Sequence, residues 1–142
     1  MEIGFIYALG AAIVWGLVYT IDQKVLSSLN PLPLLFVYSI VTAIIVIPFI
    51  LYNTSSVKEV ITSGKTILSL IVICAFLTIL GNFLILTGIK NMDASTASII
   101  EISYPFFVVL FSYFIFHSTP NIYFFLGGLF IFIGSVIIIK LA

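Results

Sequence analysis

Five runs of about twenty apolar residues, parted by short polar breaks, constrain this chain more than anything else in it. A run of that length, wound as an α-helix, matches the ~30 Å hydrocarbon core of a bilayer. Only a helix or a closed barrel satisfies every backbone N–H and C=O where no water can reach. The runs lie at about residues 3–21, 34–52, 66–89, 94–116 and 122–141. They predict an all-α, polytopic integral membrane protein with five transmembrane helices, forming one domain over residues 1–142 of a cell membrane. Charged residues make up 7% of the chain, against roughly 25% in a soluble domain. The spans therefore leave little over for a separate soluble domain.

The same composition excludes other classes. Net charge is zero, and the five Lys/Arg residues form no cluster, which argues against a nucleic-acid partner. The single cysteine, Cys74, lies within an apolar run and allows no internal disulfide. No cofactor or metal is expected. The first apolar run has no basic stretch before it and reads as a retained span, not a cleaved leader. Intramembrane catalysis finds no support: His117, the only histidine, stands at a span end, and Cys74 has no evident basic partner.

Along the chain, the first span carries Gly4, Ala8, Ala11, Ala12 and Gly16, small residues that allow close helix packing in lipid, and it ends at Asp22-Gln23-Lys24. Trp15 is too deep for an interfacial aromatic belt. Ser27 to Pro33 is turn chemistry, and the second span follows with Tyr38, Ser39, Thr42 and, near its end, Pro48. Asn53 to Lys65 reads as a polar connection in which Lys58-Glu59 form a solvated face. Asn53-Thr54-Ser55 fits a glycosylation sequon but abuts the membrane. The third span holds Gly81, Asn82 and Gly88. A tight turn, Lys90 to Asp93, leads into the fourth, where Asp93 is placed to cap the helix. Gly127, Gly128, Gly134 and Ser135 give the fifth span a small-residue packing face.

The fourth span contains the one feature that packing does not call for. Glu101 lies roughly eight residues, about 12 Å, from the nearer end of its run. A charge at that depth costs at least about 2.5–3.5 kcal/mol on insertion scales and marks a candidate for substrate binding or proton transfer. Pro105, one turn later, has no N–H for the Glu101 carbonyl, so one residue offers a carboxylate and a freed carbonyl at a predicted kink. Ala94, Ala97 or Ser98, Glu101, Pro105, Val108 and Ser112 recur at helical spacing as a small and polar stripe, while Phe107, Phe111 and Phe114 look elsewhere.

Register suggests what surrounds Glu101. The short turn makes spans three and four antiparallel, which puts Asn82 and Glu101 at equal distances from it and hence at one depth. Trp15 stands about as far from its end of span one as Glu101 does from the start of span four, and Tyr38 enters from the same side. The expected site has Glu101 and Asn82 as a polar floor and Trp15, Tyr19, Tyr38 and Tyr104 as aromatic walls. Aromatic faces beside a carboxylate suit an organic ligand, particularly a cationic one. Structural glue is the plainer reading of Asn82, which could simply hydrogen-bond Glu101 or the freed carbonyl.

Gly10-Ala-Ala-Ile-Val-Trp15-Gly16 followed by Lys24, Asp93-Ala-Ser-Thr-Ala-Ser-Ile-Ile with Pro105, and Gly127-Gly128 through Gly134 together resemble one EamA repeat of the drug/metabolite transporter superfamily. Such a repeat is one half of a ten-helix inverted-repeat transporter fold, and the resemblance implies transport of small metabolites. Two features depart from the family pattern. His117-Ser118 stands where members usually have Gly-Glu, and the acidic residue that normally adjoins the proline is here one turn earlier, at Glu101.

Members usually carry two repeats related by inverted topology. Here Lys58, Lys65 and the terminal amine fall on one face, and Lys24, Lys90 and Lys140 on the other, so the positive charge that normally fixes orientation has no bias. The expectation is an antiparallel homodimer that binds a small-molecule substrate and couples to protons through Glu101. The alternatives are a heteromeric transporter with a paralogous half, or a non-transporting membrane subunit.

Overall fold

The computed structural model describes residues 2–117, 119 and 121–141, without the side chains of Glu2 and Ser56. Among these residues there are seven helices and no strand: α1 (Glu2–Leu26), α2 (Pro31–Tyr52), α3 (Thr54–Thr62), α4 (Lys65–Asn91), α5 (Ala94–Glu101), α6 (Tyr104–Phe116) and α7 (Ile122–Leu141). Five stretches are long and apolar enough to cross a membrane: α1, α2, α4, α7, and α5 with α6 together as one span of 23 residues. The protein is a polytopic all-α membrane protein.

Several boundaries differ from the sequence reading, each for a local reason. Polar side chains do not end a helix that has backbone partners, so α1 continues through Asp22, Gln23 and Lys24 to Leu26. Lys24 in its last turn complements the negative end of the helix dipole. The Ser28 and Leu29 N–H groups both close on the Val25 carbonyl at 3.0 Å. Pro31 opens α2 instead of lying in the turn, because the first helical position needs no N–H. The connection after α2 contains the short helix α3, followed by Gly64 at φ +90°, a left-handed conformation that favours glycine. Lys90 and Asn91 belong to α4, which leaves only Met92 and Asp93 for the turn.

Large apolar side chains lie mostly on the surface, the reverse of a soluble domain and the arrangement a lipid solvent requires. The chain divides into two units, Val25–Thr87 and Met1–Lys24 with Gly88–Ala142, whose borders fall inside α1 and α4. In the first of these, α2 packs with α3, and Leu26, Leu34, Leu35 and Leu86 are buried. Ser39 and Thr87 return their hydroxyls to the carbonyls of Leu35 and Phe83, four residues back, which removes the cost of a bare hydroxyl in an apolar setting.

The other unit holds the C-terminal helices. Both α5 and α6 pack on α7. The buried Ser135 hydroxyl, on α7, lies 3.1 Å from the Ile99 carbonyl and 2.9 Å from that of Ile131. A Cβ on Gly128 would stand 3.7 Å from the Phe106 ring, and one on Gly88 3.7 Å from the Ala97 Cβ. Small residues thus bring these helices to van der Waals contact, the main source of association in lipid. Ile89, Ala94 and Ala97 are buried here.

Candidate substrate and proton site

The N-terminus of α5 fixes the register of the site. The Asp93 carboxylate accepts the Thr96 N–H at 2.8 Å and the Thr96 hydroxyl at 2.7 Å. This is the cap that the sequence placed there. First the Thr96 hydroxyl, then the Thr96 and Ser95 N–H groups, hold the Asp93 carboxyl below its ordinary range. The Ala94 N–H donates instead to Gln23 Oε1 of α1 at 2.9 Å. The last turn of α1 is thereby level with the first turn of α5, and the two helices run in opposite directions from that point.

Depths follow from helical rise. Measured from the Gln23 and Ala94 pair, Tyr19 is about 6 Å along α1, Trp15 about 12 Å, and Glu101 about 10.5 Å along α5. On this scale Trp15 and Glu101 fall about 1.5 Å apart in depth. Helical side chains lean toward their own N-terminus, so the Tyr19 ring covers the remaining distance. Its phenol hydrogen-bonds Glu101, with Asp22 and Tyr104 inside its electrostatic reach. The Trp15 and Tyr19 ring centroids are 5.6 Å apart, tilted at 46°. Glu101 is half-buried, and Trp15 and Tyr104 are 50% and 60% exposed, leaving ring surface free.

The fourth span does not run through. It breaks at Ile102-Ser103, between the last residue of α5, Glu101, and the first of α6, Tyr104. The Ile102 N–H bonds the Ser98 carbonyl at 2.9 Å, the Ser103 N–H that of Ile100 at 3.1 Å, and the Phe106 N–H that of Ser103 at 3.1 Å. The tightening to three-residue spacing accommodates Pro105, which can supply no N–H to Glu101. Past the break the inward stripe keeps ordinary helical spacing through Pro105, Val109 and Ser112, so Val109 is half-buried where Val108, expected on the polar stripe, is 54% exposed.

Of the residues singled out in the sequence, Trp15, Tyr19, Glu101, Tyr104 and Pro105 belong to one unit. Tyr38, on α2, and the half-buried Asn82, on α4, belong to the other. Ser118 lies outside the described residues. Sequence reasoning missed Asp22 and Gln23, which it took for the polar end of a span. Asp22 is 2% exposed and stands three residues from Tyr19, a spacing that places both on one helix face and was legible beforehand.

Five apolar spans, one of them interrupted just after Glu101, define a polytopic all-α membrane protein. The chain matches the EamA-like transporter family over residues 2–140 and belongs to that family. It is a membrane transporter, and membership sets it among transporters, not enzymes. Neither curated proteins nor solved structures gave a match.

Proposed function

We propose that the protein moves small organic metabolites across the membrane in exchange for protons, with Glu101 as the carboxylate for which both compete. The observation that carries this reading is the Glu101–Tyr19 pair at the helix break, beside the exposed faces of Trp15 and Tyr104. A carboxylate within a span can hold a proton or a bound substrate, and each excludes the other. A bound substrate then favours the ionised form and a proton displaces the substrate, while the halves of the transporter rock to expose the site alternately.

The other half is a second copy in inverted orientation. Three lysines, Lys24, Lys90 and Lys140, end α1, α4 and α7 on one face, and Lys58 and Lys65 lie on the α3 side. The chain contains no other Lys or Arg. A balance of three against two supplies no strong orientation signal, so both insertions are allowed. An opposed pair brings two Glu101 residues into one transport path.

Two measurements test this. C-terminal reporters active only inside or only outside the cell, at native expression, should both give signal; signal from one side alone contradicts the opposed homodimer and points to a separately encoded partner. Vesicles reconstituted with this chain alone, loaded with a pH dye and offered a panel of amines, amino acids and amphipathic metabolites, should show substrate-evoked proton movement. Silence across the panel, restored by adding a partner protein, favours the heteromeric reading.

A further inference from the structure

We infer that the substrate is an organic cation, an ammonium compound with apolar substituents. This deepens the proposed function and rests on the Glu101 site being the transport site.

The argument is a census of what the helix break offers a ligand. An α-helix ends with four carbonyls that lack helical partners. In α5 three of them are engaged: Ser98 by the Ile102 N–H, Ile99 by the Ser135 hydroxyl, and Ile100 by the Ser103 N–H. The fourth belongs to Glu101, and its donor position is taken by Pro105, which has no N–H. The remaining acceptor is therefore on the same residue as the carboxylate, at the negative end of the α5 dipole. The start of α6 does not offset this. Of its first four positions Pro105 has no N–H and Phe106 gives its own to Ser103, so half the usual donors at the positive end of that helix are gone.

The side chains have the same sign. Tyr19, which hydrogen-bonds Glu101, has the Trp15 ring 5.6 Å away and Tyr104 within electrostatic reach, and the faces of such rings are the negative part of an aromatic quadrupole. In this unit the cationic side chains are Lys24, Lys90 and Lys140, each in the last turn of its helix. Lys24 is level with the start of α5, seven residues or roughly 10 Å from Glu101. Among the described residues of this unit, the ionisable side chains on the helices around the break are Tyr7, Tyr19, Asp22 and Lys24 on α1, Lys90 on α4, Asp93 and Glu101 at the two ends of α5, Tyr104 and Tyr113 on α6, and Tyr123 and Lys140 on α7. A substrate anion would meet a carboxylate and ring faces with no counter-charge at its depth. A bare metal cation would find few oxygens, whereas an alkylated ammonium uses both the carboxylate and the rings.

Trp15 is the only tryptophan, so its fluorescence reports on this site alone. The test titrates the purified protein with benzyltrimethylammonium, with its neutral isostere neopentylbenzene, and with benzoate. Saturable quenching by the cation, at least roughly tenfold tighter than by either of the others and weakened by a similar factor in Glu101→Gln, is the expected result. Benzoate or neopentylbenzene binding as tightly as the cation overturns the inference, and this comparison uses the native protein, so it stands even if the variant fails to fold. The two proposals fail differently. Cation affinity that is the same in mildly acidic and mildly alkaline buffer contradicts proton competition but leaves the substrate class intact. Binding that varies with pH but favours benzoate leaves proton competition and removes the cation.

Discussion

Replacing Gln23 tests the register on which the site depends. Its Oε1 accepts the Ala94 N–H at 2.9 Å, and Ala94 is 6% exposed, so water has little access to that donor once the partner is gone. Leaving a buried donor unmatched costs about 1–3 kcal/mol in general, while hydrogen bonds between membrane helices average about 0.6 and reach about 1.7 kcal/mol. Gln23→Leu, similar in size but without an acceptor, is expected to lose about 1 kcal/mol, roughly a fivefold change in the ratio of folded to unfolded protein. Gln23→Glu keeps an acceptor oxygen; its charge is favoured by the N-terminus of α5 and opposed by the C-terminus of α1 and by Asp93, so it should retain the pin and stay more stable than Gln23→Leu. Denaturation in detergent followed by circular dichroism reads the difference. With the pin gone, α1 can shift along α5 and Tyr19 loses Glu101, so substrate quenching of Trp15 should weaken in Gln23→Leu and survive in Gln23→Glu. Equal stability and equal binding in the two variants would refute the reasoning.

Other expectations follow from the same contacts. At Gly88, alanine adds a Cβ at an ordinary 3.7 Å from Ala97 and should be tolerated, whereas leucine overpacks the seam between α4 and α5 at a cost of about 1–3 kcal/mol in the same unfolding assay. Ser135→Ala removes the hydroxyl shared between the Ile99 and Ile131 carbonyls and should cost about 0.6 kcal/mol, with little effect on transport. Asp93 has its folded-state pKa lowered by Thr96, so its contribution to stability is complete above the ordinary carboxylate range and is lost as pH falls through the lowered value. Asp93→Asn should remove that acid-side slope from a plot of stability against pH, and an unchanged slope would locate the titration elsewhere.

The five spans were legible because apolar length is a property of composition, and the Asp93 cap because its chemistry is local to three residues. What the sequence did not disclose depends on reach between helices. Gln23 and Asp22 look like the polar finish of a span, and only the 2.9 Å contact with Ala94 distinguishes a register pin from a helix end. Pro105 predicted a disturbance at Glu101, but not that Ile102 and Ser103 would leave the helix. The helix α3 was hidden for the opposite reason: nine residues with Lys58 and Glu59 at their centre carry too little periodicity to stand out from a polar connection.

The account turns on Glu101 as the group that links substrate to proton, and substrate-evoked proton flux in vesicles tests it most directly. With native protein and Glu101→Gln incorporated to equal levels, a substrate gradient should move protons in the native vesicles and none in the variant. Native coupling in the glutamine variant would contradict the account.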